Sequence, residues 1–334
     1  MRANTLREGA RSVSLGLTWG VIQALPDWPL YGLADDQRPA LRALRAAGEP
    51  AVMATIVALG GGGPRPVGAQ MVFGRDFVSG FLSGGCVEGD VALHAAACLE
   101  DGEPLRLVYG EGSPWPDIRL LCGARIEIEL QRLLPDDAQV GAVLAAMDAR
   151  RTAGFTTAGG LSLTYEPVWK LIVLGADPTA LAAATLGAQS GFETTLIRPR
   201  GPIACPLANV AYRRDEPAQA LSAVGLDAWT AVAICGHDMD IDHAALTTAL
   251  PSDAPYVGLL GARRRLGERL DRLRAAGITE SQLQRLRAPI GLDLGGKAPW
   301  EIAVAVVGEV IAVRHAGGPV GREAAYLSPV STDR

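Results

Sequence analysis

The sequence predicts an α/β protein in two parts, a small mixed α+β domain followed by a Rossmann-like, doubly wound parallel sheet. Three observations carry this reading. From Trp169 onward, short apolar runs alternate with segments of helical length, the signature of strand–helix repeats on one sheet. Before that point, runs such as Arg125–Leu130 alternate apolar and polar residues strictly, as strands with one wet face do. The chain has 334 residues, 49% of them hydrophobic, with 40 glycines and few aromatics, which is enough for two packed cores.

Residues 1–35 form an extension carrying Trp19, Trp28 and Tyr31, closed by Pro26-Asp27-Trp28-Pro29. The first domain spans 36–135. A short helix with Leu41 and Leu44 leads to an apolar strand, Ala51 to Leu59, and then to Gly60-Gly61-Gly62-Gly63-Pro64-Arg65-Pro66-Val67-Gly68, where four consecutive glycines forbid regular structure. Gln70–Phe73, Phe77–Leu82, Leu105–Tyr109 and Arg125–Leu130 read as strands. A helix after Cys86 has an apolar face of Val87, Val91, Leu93, His94 and Leu99. Residues 136–167 read as a connector with a helix around Val140 to Ala153. The second domain, 168–316, offers strands Leu171–Leu174, Thr194–Ile197, Ala231–Cys235 and Tyr256–Leu260. Helices follow them, up to Ser190, over Ile241–Leu250 and over Arg263–Ala275, and a long apolar helix over Ile302–Val313 is started by Pro299. Residues 317–334 are a tail.

A net charge of -5 without a broad basic stripe excludes a nucleic-acid backbone as the main partner. The five cysteines, at 86, 98, 122, 205 and 235, show neither a CxxC pair nor Cys/His metal spacing. A structural zinc or a disulfide framework is therefore not expected, and a reducing cytoplasm is. Near the start, the apolar run Val13 to Leu25 is too short to span a membrane. Glycines interrupt it and it lacks a small-residue cleavage site, so it reads as a docking arm or first helix.

In the second domain each strand runs into a candidate ligand loop. Gly175-Ala176-Asp177-Pro178-Thr179 is a damaged dinucleotide fingerprint, with Asp177 at the second glycine position and Ala180 at the third. At the end of the next strand Arg198 stands where an acid would hold the ribose of NAD; it suits the phosphate of NADP or is a solvated surface arginine, and the two departures together count against a working nicotinamide site. His237 and Asp238 form either a general base with its carboxylate or an exposed base beside a helix cap. Arg263 and Arg264 complement a phosphate or are solvated. Asp293 sits between turn glycines in Pro289-Ile290-Gly291-Leu292-Asp293-Leu294-Gly295.

The sharpest motif lies in the first domain. Leu82-Ser83-Gly84-Gly85-Cys86-Val87-Glu88 places a lone thiol where a glycine turn feeds a helix, whose amino end favours thiolates and anions. The plain alternative is a buried small hydrophobe.

As an ordered set these motifs resemble the XdhC/CoxI family of maturation proteins for molybdenum hydroxylases, over about residues 38–315. The matching pieces are Pro64-Arg65-x-x-Gly68, Ser83-Gly84-Gly85-Cys86-Val87-Glu88, Cys122-Gly123, the strand and turn at Gly175, His237-Asp238 with Asp242, the run Tyr256-Val257-Gly258 to Arg264, and Pro289 to Asp293. The resemblance implies a non-catalytic chaperone that binds the molybdenum cofactor, as molybdopterin or its cytosine dinucleotide form. It also implies promotion or protection of the cofactor's sulfido ligand, with a cysteine desulfurase as sulfur donor, and delivery to an apo molybdenum hydroxylase of the xanthine, aldehyde or CO dehydrogenase class.

In that reading Cys86 contacts molybdenum and Cys122 is the second thiol. Ser83, Gly84, Gly85, Pro64, Arg65 and Gly68 surround the cofactor, and Gly175, His237, Asp238, Arg263, Arg264 and Asp293 are the second domain's binding residues. Departures from the family pattern are Gly62 for a serine, Gln70 for a basic residue and Ala262 for a serine. Two other readings stay open, an NAD(P)-dependent oxidoreductase and a protein that bridges sulfur donor and client without holding cofactor. A homodimer is also left open.

Overall fold

The computed structural model describes residues 25–61, 63, 65–113, 120, 123, 125–261 and 263–316. The expectations for residues 1–24 and for the tail from 317 therefore lie outside the described residues. The chain divides into two compact units, one running to Asp148 and including Thr152–Tyr165, the other made of Ala149–Arg151 and everything from Glu166.

In the first unit Trp28 is largely exposed, and a single 3-10 turn, Leu30–Leu33, places Tyr31 against the core. Helix α1 (Arg38–Ala46) has a proline in its first turn and buries Leu41 and Leu44. Strands β1 (Ala51–Gly60), β2 (Gln70–Phe73) and β3 (Val78–Gly80) precede helix α2 (Glu88–Asp101). Strands β4 (Leu105–Tyr109) and β5 (Arg125–Leu133), helix α3 (Ala138–Asp148) and the hairpin β6 (Ala153–Thr156) and β7 (Ser162–Tyr165) complete the unit.

The main sheet is antiparallel, in the order β3-β2-β1-β5-β4. The unbroken apolar run of β1 follows from burial on both faces. Val52, Ala54 and Ile56 point to the core under α2, while Ala51 and Met53 point to the core under α1 and α3. Helix α2 buries Val91, Ala92, Ala95 and Cys98. Leu93, which the sequence places on the apolar face, faces solvent at 55% exposure. The segment expected as a connector carries α3 and the hairpin, and both pack within the first unit. Buried Glu129 of β5 ties the hairpin down, accepting from Gly159 N at 2.7 Å and Thr157 Oγ1 at 3.3 Å.

The second unit runs β8 (Lys170–Leu174), α4 (Pro178–Gln189), β9 (Glu193–Ile197), β10 (Ala211–Arg213), α5 (Pro217–Val224), β11 (Thr230–Ile234), α6 (Met239–Ala249), β12 (Tyr256–Leu259), α7 (Leu266–Ala275), α8 (Glu280–Leu283), β13 (Leu286–Arg287) and α9 (Pro299–Ala316). Among the described residues its six strands are all parallel, in the order β10-β9-β8-β11-β12-β13. Counted within the unit this is 3-2-1-4-5-6, the doubly wound order with its switch point between β8 and β11. Alternate residues of each central strand serve two cores. Leu171, Val173, Ala231 and Ala233 meet α4 and α9, and Ile172, Leu174, Val232 and Ile234 meet α5, α6 and α7. Among the described residues no helix is long and apolar enough to cross a membrane.

Candidate functional site

The strand register of the first unit sets the site. Gly60 at the end of β1 pairs with Arg125 at the start of β5, Gly80 at the end of β3 pairs with Met71 near the start of β2, and Tyr109 at the end of β4 pairs with Ile126. The loops 61–69, 81–87 and 110–124 therefore leave the same end of the sheet. They carry all three of the first domain's motifs. The loops also meet locally, since a Cβ on Gly61 would lie 3.5 Å from the carbonyl oxygen of Gly123.

Within loop 81–87, Cys86 is exposed and Ser83 is buried. Gly84 and Gly85 have φ of +102° and +94°, which side chains resist, and a Cβ on either would meet nothing within 4 Å. Glycine is needed here for backbone direction, and the space above it is open.

The centre of the loop is Glu88, 1% exposed. Its Oε1 accepts from Leu82 N at 3.1 Å and Ser83 N at 2.6 Å, and its Oε2 from Ser83 Oγ at 2.5 Å, Gly85 N at 3.0 Å and Val87 N at 3.3 Å. Ser83 Oγ in turn accepts from Cys86 N at 3.0 Å and Val87 N at 3.1 Å. Burial pushes the Glu88 carboxyl up, but the bonds from Ser83 and the loop amides together outweigh it and hold the group below the usual carboxylate range. The amides of residues 85–87 therefore already have acceptors from the chain itself.

In loop 61–69, Arg65 pairs with exposed Asp35, and its buried Nε has no hydrogen-bond partner among the described residues. Gly68 (φ +90°) donates its amide to the Ile56 carbonyl at 2.8 Å. Pro64 and Cys122 lie outside the described residues, although Gly123 beside Cys122 is placed. Asp90, in the first turn of α2, accepts from Tyr109 Oη at 2.6 Å and so anchors that end of the helix to β4.

In the second unit the predicted residues come to the carboxyl edge of the sheet, with mostly structural work. Gly175 allows close approach, because a Cβ there would lie 2.7 Å from Ala180 Cβ and 2.9 Å from Cys235 O. Asp177 caps α4 through Ala180 N at 2.9 Å, and its other oxygen meets His237 Nε2 at 3.0 Å. Asp238 caps α6 by accepting from Asp240 N and Ile241 N at 2.9 and 3.1 Å, so the helix-cap alternative describes it and His237 takes its partner from the neighbouring loop.

Arg264 is exposed in a 3-10 turn, Arg263–Arg265, that precedes α7, where the sequence predicts one continuous helix. The side chain of Arg263 falls outside what is described. Asp293 is exposed and, among the described residues, accepts only from Gly295 N, at 3.3 Å. A dinucleotide fits this crevice poorly, since the carboxylate of Asp177 occupies the α4 amino end where a pyrophosphate would sit.

Sequence reasoning did not find Glu88 as a hub, nor Glu309 of α9. Glu309 joins Tyr256 Oη (2.7 Å) to Gly291 N (2.8 Å) and so holds the Pro289–Asp293 loop to β12. Asp242, which the sequence offers only as part of the motif with His237-Asp238, is fully buried with Oδ2 on Arg269 Nη1 at 2.8 Å and Oδ1 without a partner among the described residues. Burial pushes the Asp242 carboxyl up, against the pull of Arg269. Among the described residues no three His, Cys, Asp or Glu side chains are grouped to hold a metal ion.

The XdhC and CoxI family model matches residues 44–110, and the XdhC Rossmann domain model matches residues 171–310. The chain is 32% identical to the molybdenum cofactor insertion chaperone PaoD of Escherichia coli (strain K12), over 84% of this chain and 90% of that protein. It is 27% identical to a probable xanthine dehydrogenase subunit of Bacillus subtilis (strain 168), over 82% of this chain and 96% of that one. A crystal structure described as a xanthine dehydrogenase from Bacillus halodurans shares the fold, with a TM-score of 0.70 at 22% identity over 88% of this chain and 100% of its own. With two domain models in order and a relative matched across most of both lengths, the chain belongs to the XdhC and CoxI family.

Proposed function

We propose that this protein is a maturation chaperone that takes the molybdenum cofactor as cargo at the loop end of its first unit, guards its sulfido ligand and hands it to an apo molybdenum hydroxylase. The observation that carries this reading is the convergence of loops 61–69, 81–87 and 110–124 at one sheet end, with an exposed thiol on the middle loop. The name of the Escherichia coli relative supplies the cargo.

The donor set suits such a group. A thiolate is a soft ligand matched to a molybdenum centre with sulfur ligands, and Cys86 stands in open space beside two glycines. Cys122, on the third loop, is the second thiol of the proposal. Arg65, with an unpartnered Nε, supplies the cation for the cofactor's phosphate, which would displace Asp35. The sulfur comes from a cysteine desulfurase that docks at the same end.

Cofactor released from a molybdenum hydroxylase should form a one-to-one complex with the purified chain, detected by co-elution of molybdenum and pterin fluorescence. Cys86→Ser should weaken it at least about tenfold, or about 1.4 kcal/mol, and undiminished binding would overturn the role of Cys86. Melting-temperature stabilisation by NADP, larger than by the released cofactor, would favour a dehydrogenase instead.

A further inference from the structure

We infer that Glu88 is the positioning residue of the Cys86 loop, serving as a built-in anion that takes the loop amides of Leu82, Ser83, Gly85 and Val87 ahead of α2 and fixes where the thiol stands; this rests on the reading of Cys86 as the cargo contact. A buried carboxylate is costly unless donors surround it. Glu88 has no cationic partner among the described residues, yet five hydrogen bonds from Leu82, Ser83, Gly85 and Val87 end on its two oxygens.

Ser83 extends the same charge outward. Its hydroxyl donates to Glu88 and accepts from Cys86 N and Val87 N, using its hydrogen-bonding capacity fully. The amide of the cysteine is thus one hydroxyl away from the carboxylate. Gly84 and Gly85, at positive φ, let the chain wrap around the carboxylate while leaving the outer side of the loop open.

Two consequences follow for the cargo. A glycine loop with free amides can hold an external anion, but here the amides of Leu82, Ser83, Gly85, Cys86 and Val87 are taken by Glu88 and Ser83, so loop 81–87 offers a thiol and leaves the phosphate to another group. Glu88 itself faces inward at 1% exposure and acts on the cargo only through the position of Cys86.

The test uses the full chain with Glu88→Gln, which keeps the shape and one acceptor but loses the charge and turns an amide group toward the loop. Hydrogen exchange at residues 82–87 should accelerate roughly 10- to 100-fold, while amides from Val91 onward in α2 and the melting temperature stay near wild type. Affinity for released molybdenum cofactor should fall about tenfold. In a Cys86→Ser background the same change should have no further effect on binding, because Glu88 works through that thiol. Glu88→Asp, one methylene short, should recover part of the loss.

Wild-type exchange at 82–87 in Glu88→Gln would overturn the proposal, as would an equal loss of affinity with and without Cys86. Should Glu88→Gln fail to fold, Ser83→Ala keeps the carboxylate and should speed exchange at residues 86 and 87 selectively; unchanged exchange there would count against the relay. If Cys86→Ser binds cofactor like wild type, the cargo reading fails, while the exchange comparison still decides whether Glu88 holds the loop.

Discussion

His237 and Asp177 meet across the switch point of the parallel sheet, with Nε2 of the imidazole 3.0 Å from one carboxylate oxygen while the other oxygen caps α4 through the Ala180 amide. One carboxylate thus joins the loops after β8 and β11 and fills the position where dinucleotide-binding sheets keep glycine.

Replacing this cap tests that role. Asp177→Ala should cost about 1 kcal/mol, and Asp177→Gly only a few tenths, because glycine is tolerated at an N-cap where alanine is not. Thermal unfolding of the two variants beside wild type measures the order. Equal melting temperatures for wild type and Asp177→Ala would show the cap to be idle. His237→Ala should cost less than Asp177→Ala, since the imidazole is largely exposed and an exposed pair is screened.

Much of this fold is written locally in the chain. Gln70–Phe73 and Leu105–Tyr109 coincide with β2 and β4 because short apolar stretches of strand length are bounded by turn residues on both sides. The strand from Arg125 runs three residues past its alternating part, to Leu133, because pairing with Ala51–Met53 continues after the pattern fades. Strands β10 and β13, of three and two residues, carry no pattern of their own and are set by parallel neighbours. The β6–β7 hairpin falls in the segment that reads as a connector, because what orders it is Glu129, about thirty residues earlier in the chain.

The site divides the same way. Cys86 and its glycines stand out by residue type, whereas Glu88 works through main-chain amides, which have no residue identity to read. His237 drew attention to adjacent Asp238, yet its partner lies sixty residues back, at a distance only the sheet topology closes.

The four cysteines among the described residues should separate cleanly under alkylation. Cys235 is fully buried, and burial followed by the nearby Asp177 and Asp242 charges pushes its thiol up to about 12. Cys98, 2% exposed, is pushed up chiefly by burial as well. A thiol must ionise and be reached to react. In native protein iodoacetamide should modify exposed Cys86 first and half-buried Cys205 more slowly, leaving Cys98 and Cys235 unlabelled until denaturant is added. Peptide mass spectrometry over a time course gives the order, and native labelling of Cys235 at the Cys86 rate would contradict the packing described.

Asp227 should govern part of the acid stability of the second unit. It receives Arg150 Nε on Oδ2 at 2.6 Å and, on Oδ1, Arg150 Nη2 at 3.2 Å, Thr230 Oγ1 at 2.8 Å and Trp229 N at 3.0 Å. Burial pushes the carboxyl up, but the Arg150 guanidinium, the Thr230 hydroxyl and the Trp229 amide together outweigh it and hold it at about 2. An unfolded aspartate titrates near about 3.9. With the folded value depressed, the unfolded chain binds the proton first, so the contribution is complete above about pH 4 and is lost as pH falls toward 2. The carboxylate is about a third exposed, and solvent screening brings its worth down to about 1 kcal/mol. Arg150→Met should therefore lower the melting temperature at neutral pH, and its deficit against wild type should shrink between about pH 4 and 2. Thermal melts across that range measure it, and a deficit that does not change with pH would place the effect of Arg150 outside the ion pair, in its bond to the Val168 carbonyl.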